Sequence, residues 1–294
     1  MTDLVGRVVV VTGATTGIGK ETARELARKR AHVVVVGRDP AKIDETLRDV
    51  RATVPNASLS SARADFASLA SVREAADAIA AAHERVHVLV NNAGAVYMER
   101  ALTQDGLETT LQVNHLAPFL FTQRLLPALK AAGTRDRRAR VVFVASIVHA
   151  QAAIDWDDLH TERGYTGLGA YAKAKLMNVM TTFALARRLD GAHVTSNCLH
   201  PGVIASGFGH NNRGWMGFGV KLVAPFLTTP AKGARTSIQL ASAPDVERVT
   251  GAYFDEKGRQ KPSSRGSQDA AAQERLWTIS EELVLARTAS SKRA

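Results

Sequence analysis

Strand-like and helix-like segments alternate along this chain from its first residues, and neighbouring strands stand too far apart in sequence to close hairpins. A pattern of this kind packs as parallel strands joined by right-handed helical crossovers. Residues 7–12 and 32–37 are valine-rich runs, as expected of strands buried on both faces. Further strands are expected at 58–63, 86–90, 141–145 and 193–199, with a short last strand at 252–254. Helical patterns lie between them at 18–28, 40–52, 68–84, 104–132, 170–188, 231–243 and 270–286. Asp39 is placed to cap the second helix, with Pro40 at its first position. Pro118 and Pro127 should kink or divide the long 104–132 segment. Residues 255–269 read as a polar, mobile loop. No linker splits the chain, so one α/β domain over 1–294 is expected.

Composition narrows the partners. The formal net charge of +10 raises a nucleic-acid ligand. The basic residues are spread along the chain, however, and the densest cluster (Arg135, Arg137, Arg138, Arg140) has no interleaved aromatics for base stacking. A solvated basic surface that also attracts a polyanionic cofactor is expected, with no nucleic acid. The single cysteine, Cys198, excludes an internal disulfide and a multi-cysteine metal site; its strand context marks it as packing. The histidines show no ligand spacing with carboxylates on a common helix, so no metal is expected. No apolar run approaches the roughly 18 residues of a membrane span, and the N-terminus lacks the features of a secretion signal. The expectation is a soluble, cytoplasmic protein with no membrane span.

Between the first strand and the first helix runs Thr12-Gly13-Ala14-Thr15-Thr16-Gly17-Ile18-Gly19. Glycines at Gly13, Gly17 and Gly19 let the backbone turn tightly and approach a phosphate, and the helix N-terminus offers amides and positive partial charge. After the first strand of an alternating pattern, this reads as a cradle for a dinucleotide pyrophosphate. The second strand ends in Gly37-Arg38-Asp39. An acid there would take the ribose 2′-hydroxyl of NAD; Arg38 instead suits a 2′-phosphate, so NADP(H) is preferred over NAD(H). Asp39 leaves the ribose reading open. Asp65 and Phe66 follow the third strand as candidate cofactor contacts, and the carboxylate could accept from the adenine amino group or simply hold a turn. Asn91-Asn92-Ala93-Gly94 ends the fourth, where open sheets bind ligands; Gly94 permits close approach, and the asparagines could alternatively close a loop.

Tyr171 and Lys175 lie one helical turn apart on one face, and the preceding strand ends in Ser146. A second pair of this spacing, Tyr253 and Lys257, runs from a strand into a loop and does not share a face. A phenol of pKa near 10 must drop about three units to be half ionised at pH 7. An ammonium one turn away and an oxidised nicotinamide both favour the phenolate. Tyr171 would then pass a proton to or from a carbonyl or alcohol oxygen, Ser146 would hold that oxygen, and Lys175 would bind the nicotinamide ribose. The alternative for Tyr171 and Lys175 is a surface pair on an amphipathic helix.

Taken in order, the glycine turn, Asn91 to Gly94, Ser146, Tyr171/Lys175 and Pro201-Gly202 resemble the short-chain dehydrogenase/reductase family over nearly the whole chain. The resemblance implies a Rossmann-type, doubly wound parallel sheet in three α/β/α layers. It implies an oxidoreductase that interconverts an aldehyde or ketone and an alcohol. It adds Asn114 as support for a proton relay through water and Lys175, and assigns Pro201, Gly202, Val203 and Ile204 to the nicotinamide end. Ser206 stands where the family commonly has a carboxamide-binding threonine. The family's members are often dimers or tetramers, which leaves a homo-oligomer open. Val113-Asn114-His115-Leu116-Ala117-Pro118-Phe119, the long Ser146-to-Tyr171 spacing, His200-Pro201-Gly202 and Arg275-Leu276-Trp277 are most similar to retinol dehydrogenase-like members, and also to protochlorophyllide reductase-like ones.

Residues 206–228 carry Phe208, Trp215, Met216, Phe218, Leu222 and Phe226 among glycines, an expected apolar substrate lid or alternatively a dimer contact. The 147–170 insertion should overhang the site. A small hydrophobic carbonyl or alcohol is the expected partner. A cofactor-binding sensor without catalysis is the alternative function, and it predicts a broken Ser/Tyr/Lys set.

Overall fold

The structure, a computed structural model, describes residues 3–202 and 228–290. Strands β1 (Val8–Thr12) and β2 (His32–Gly37) pair in parallel, with Val10 opposite Val34. Alternate valines serve opposite faces. Val10, Val34 and Val36 join one core; Val9, Val11, Val33 and Val35 join the other. Helices α1 (Gly17–Arg28), α2 (Pro40–Thr53) and α7 (Pro230–Ser242) close the second core through Leu26, Ile43, Val50 and Leu240. Helices α3 (Leu69–Ala82), α5 (Ala117–Ala132), α6 (Gly167–Arg188) and α8 (Ala270–Ser290) close the first through Leu69, Phe119, Met177 and Leu276. The result is the expected α/β/α sandwich.

The remaining strands are β3 (Ser58–Arg63), β4 (Val88–Asn91), β5 (Ala139–Val144), β6 (Val194–Leu199), β7 (Ala252–Phe254) and β8 (Gln260–Lys261). Their order is β3-β2-β1-β4-β5-β6-β7-β8. All pairings from β3 to β7 are parallel. The direction of winding reverses between β1 and β4, which opens a crevice at the carboxyl ends of the strands there. Cys198 is fully buried in β6.

Two expectations are corrected. The loop at 255–269 is not irregular throughout: β8 pairs antiparallel with β7, Tyr253 opposite Lys261. The Asp255 carboxylate closes the hairpin by accepting from the Lys257 and Arg259 amides, and two polar residues then cover the open edge of β7. The helix expected from 104 starts only at Thr109. The Glu108 carboxylate, itself buried, accepts from the Thr110 and Leu111 amides at 2.7 Å each and fixes the start of α4 (Thr109–Leu111). A π-helical turn over Gln112–Leu116 follows, and α5 begins with Pro118 in its first turn. Pro127 is accommodated inside α5 on the exposed side, where the carbonyl it leaves unbonded can reach water.

Candidate active site

The glycine turn after β1 is built on backbone that other residues would strain. Gly13 and Gly17 have φ of 61° and 54°. A β-carbon on Gly19 would lie 2.3 Å from the Gly13 carbonyl oxygen, so helix and turn meet without side chains between them. Thr16, exposed, is the N-cap of α1 and makes no side-chain capping bond, so its hydroxyl leaves the first-turn amides and their partial charge uncapped. The Thr15 carbonyl is held from α2 by the Thr46 hydroxyl at 3.3 Å.

This turn is braced by β4. The Thr12 hydroxyl accepts from the amides of Asn92 and Ala93 at 3.0 and 3.1 Å. Asn92 Nδ2 donates to the carbonyls of Thr12 and Gly13 at 2.9 and 3.2 Å. Asn92 therefore acts through the turn: its amide is committed to backbone, which favours the loop-closing reading over direct contact with a ligand. Asn91 likewise donates inward, to the Thr122 hydroxyl. Gly94 is exposed, and a β-carbon there would stand 2.6 Å from Asn114 Oδ1 and 3.2 Å from Lys175 Nζ.

At the end of β2, Arg38 is exposed, and the Arg63 guanidinium donates to its carbonyl, bringing two arginines together. Any side chain at Gly37 would collide with Thr15 Cγ2, 2.6 Å away. Asp39 Oδ1 accepts from the Ala41 and Lys42 amides, the helix cap expected of it. Asp65 Oδ1 holds a turn through the Ala67 amide at 3.0 Å, which leaves its second oxygen facing elsewhere. Phe66 departs from the sequence expectation. Its ring packs 5.9 Å from Phe121 in the core, and its carbonyl accepts from Gln112, because the residue is drawn into the apolar layer under α5.

Ser146, at the mouth of β5, is hydrogen-bonded to the Tyr171 side chain across from α6. The Lys175 ammonium lies 5.4 Å from the Tyr171 ring centroid and donates to the Val144 carbonyl at 2.9 Å. Burial pushes the Lys175 pKa down to about 8. It pushes the Tyr171 phenol up to about 12, with the Ser146 bond acting the other way. Without a cofactor, burial thus holds the Tyr171 phenol above its ordinary range. The buried ring resists ionisation while no cofactor charge stands beside it.

Asn114 lies on the π-turn, fully buried. Its side chain accepts from the Ala95 amide at 3.1 Å and donates to the carbonyls of Ala95 and Thr110 at 2.9 and 3.0 Å. Its main-chain carbonyl accepts from Asn178 Nδ2 at 3.0 Å. Sequence reasoning missed Asn178; its place one turn beyond Lys175 on α6 was the available signal. It also passed over His149, three residues after Ser146. Pro201 is buried, and Gly202, with φ of 82°, turns the chain after β6. Val203, Ile204, Ser206 and all of the expected lid except Thr228 lie outside the described residues. Within the insertion, the Lys173 ammonium donates to the carbonyls of Asp158 and Leu159 and to the Thr161 hydroxyl. The Tyr165 hydroxyl donates to the Tyr97 carbonyl at 2.8 Å. The insertion is therefore pinned to α6 and to the 97–110 segment beside the site.

Positive-φ backbone at Gly13 and Gly17, uncapped amides at the start of α1 and a buried lysine beside Gly94 make a site that fits a dinucleotide at the switch between β1 and β4. Among the described residues, no cluster of three or more histidine, cysteine or acidic residues could hold a metal ion, and no helix is long and apolar enough to cross a membrane.

Comparison with known proteins agrees with this geometry. The short chain dehydrogenase family model matches residues 7–217. Mouse retinol dehydrogenase 12 is 40% identical over 279 residues, 95% of this chain and 86% of that protein. Mouse polyprenol dehydrogenase is 41% identical over 276 residues, 92% of this chain and 82% of that protein. The structure of an uncharacterized protein from Mycobacterium paratuberculosis superposes with a TM-score of 0.76 at 31% identity, covering 97% of this chain and 95% of that one. The Pseudomonas aeruginosa RhlG/NADP active-site complex does so with a TM-score of 0.70 at 26% identity, covering 87% and 96%. The chain belongs to the short chain dehydrogenase family and is an NAD(P)-dependent oxidoreductase of retinol dehydrogenase-like character.

Proposed function

We propose that the protein interconverts an apolar aldehyde or ketone and its alcohol with NADP(H), using Ser146, Tyr171, Lys175 and Asn114. The observation that carries this reading is the convergence of Ser146, Tyr171 and Lys175 beside Gly94, whose lack of a side chain lets Asn114 Oδ1 and Lys175 Nζ come close to the backbone. A nicotinamide cofactor held there supplies or accepts the hydride. Gly13, Thr15, Thr16, Gly17, Ile18 and Gly19 hold its pyrophosphate with main-chain amides. Asp65 addresses the adenine, and Ala93, Gly94, Pro201 and Gly202 line the path to the nicotinamide end. Ser146 binds the substrate oxygen, and the Tyr171 hydroxyl gives it a proton in reduction or takes one in oxidation. Lys175 binds the ribose and, as a buried ammonium, favours the phenolate once the positive ring of the oxidised cofactor adds its charge. Asn114 fixes the Ala95 strap over the π-turn and so the floor of the site.

Preference for the 2′-phosphate rests on Arg38 with Arg63 beside it, and on Asp39 being engaged as a helix cap instead of facing a ribose. An apolar substrate is supported by exposed Ile147 and Leu168, 52% and 58% accessible. Ile147 follows Ser146, and Leu168 lies one turn before Tyr171 on the same side of α6. The relatives named for retinol and polyprenol, both long apolar alcohols, point the same way.

The test follows NADPH consumption against aldehydes and ketones of increasing apolar size, retinal included. Turnover lost in Tyr171→Phe, with NADPH binding kept, is expected; unchanged turnover in that variant removes the role given to the tyrosine. Confirmed NADPH binding without turnover of any substrate in the wild type would favour the non-catalytic sensor. Arg38→Ala should weaken NADPH and spare NADH, and equal affinities in variant and wild type would end the argument for NADP.

A further inference from the structure

His149 is almost fully buried, 2% accessible, three residues beyond Ser146 in the short 3₁₀ turn Ile147–Gln151. Its Nδ1 lies 2.7 Å from the Ser146 carbonyl oxygen. Its Nε2 lies 3.2 Å from the main-chain nitrogen of Ser264, just past the β7–β8 hairpin. A carbonyl only accepts and an amide N–H only donates, so these partners fix the ring. The hydrogen sits on Nδ1, the lone pair on Nε2, and the imidazole is neutral.

The ring packs 4.8 Å from the Tyr253 ring of β7. His200 packs against the same tyrosine at 5.8 Å and nearly parallel to it. It carries the opposite tautomer: Nδ1 accepts from the Gly202 amide at 3.3 Å, and Nε2 faces the Glu256 carboxylate at 3.3 Å. One tyrosine thus supports two histidines, and each of them grips the backbone of a residue at the site, Ser146 on one side and Gly202 on the other. An apolar ring would fill the same space without tying down either turn. The proton and hydride steps use neither imidazole.

We propose that His149 is a positioning residue for Ser146. By donating to the Ser146 carbonyl while anchored on the Ser264 amide, it sets the turn that aims the Ser146 hydroxyl at Tyr171 and the substrate oxygen. The proposal rests on the role given to Ser146 and Tyr171 above.

Two substitutions separate the two ends of the ring. In His149→Asn an amide nitrogen replaces Nδ1 and still donates to the Ser146 carbonyl, and the Ser264 contact is lost. In His149→Gln the side-chain oxygen reaches the Nε2 position and accepts from Ser264, and the side-chain hold on the Ser146 carbonyl is lost, leaving only the longer bond from the residue's own main-chain amide at 3.2 Å. With NADPH and retinal, His149→Gln should lower kcat by about 10- to 100-fold, the effect of a small misplacement of a reacting group, with the KM for NADPH nearly unchanged. His149→Asn should keep most of kcat.

Equal kcat values in both variants, whether both near wild type or both reduced alongside a lower Tm, would overturn the proposal, because a merely structural histidine does not distinguish them. A third variant, Ser264→Pro, keeps the histidine and removes its anchor. Its φ of −60° suits proline. It should lower kcat several-fold with NADPH binding intact, and wild-type kcat there would also count against the proposal. Tyr171→Phe is run in parallel: if it still turns over, the reading of the site fails independently of what His149 does.

Discussion

Asn178 donates its side-chain amide to the main-chain carbonyl of Asn114 at 3.0 Å, from the middle of α6 into the π-turn before α5. A π-turn carries a local irregularity in its backbone bonding, and this bond joins it to the helix that bears Tyr171 and Lys175. Asn178→Leu keeps the branched shape of the side chain and leaves a buried carbonyl without its donor. Stability should fall by about 1–3 kcal/mol, read from a urea transition, and kcat should fall with it. Wild-type stability in this variant would show that the carbonyl finds another partner.

Gly94→Ala tests the bare backbone of the site. The added carbon meets Asn114 Oδ1 at 2.6 Å, and that oxygen is held by the Ala95 amide. The chain should still fold, because Gly94 is exposed. NADPH affinity should drop at least about tenfold, roughly 1.4 kcal/mol, measured by fluorescence titration. Unchanged affinity would place the cofactor away from Gly94.

Lys175 supplies a pH prediction. Burial lowers its pKa from the ordinary 10.5 of a free lysine to about 8, so the folded protein releases this proton more readily than the unfolded chain. Between about pH 8 and 10.5 the unfolded state binds more protons, and stability contributed by this group rises with pH. Below that window both states carry the charge, and its desolvation cost is present in full. Lys175→Met should therefore stabilise the cofactor-free protein at pH 7, by on the order of 1–3 kcal/mol, and should flatten its stability profile across the window. The same variant should lose activity. A lower Tm at pH 7 would mean that the bond to the Val144 carbonyl outweighs the desolvation.

Lys173 holds the insertion from below. Removing the ammonium in Lys173→Met leaves the carbonyls of Asp158 and Leu159 without their donor and loosens the segment around exposed Arg163. Limited trypsin digestion should then cut after Arg163 faster than in the wild type, with KM for a bulky carbonyl raised more than kcat is lowered. Identical digestion patterns would show that the Tyr165 bond to Tyr97 holds the insertion by itself.

What the sequence made legible follows from how local each signal is. Valine runs, the glycine turn and the Asp39-Pro40 cap each depend on a few neighbouring residues, and all three stand where they were expected. The π-turn was hidden because it depends on Asn178, 64 positions away. β8 was hidden because two polar residues carry no alternation; only the vacant edge of β7 makes them a strand. Phe66 read as a site residue because its neighbour Asp65 does, yet an aromatic ring beside an apolar layer goes into that layer. The burial of Tyr171 was not legible, because spacing reveals a nearby lysine and says nothing about how deeply the ring is set.

The two ends of the sheet share a property that bears on how the protein behaves in concentrated solution. At one end lies β3, whose sequence SLSSAR has only exposed and half-buried positions. At the other lies β8, two residues long, both exposed, one of them a lysine. Long, flat, apolar borders recruit strands from neighbouring molecules; short or polar ones do not. Among the described residues the eight-stranded sheet is thus guarded at both margins against growing into a fibril-like stack, and the hairpin after β7 does this with two residues.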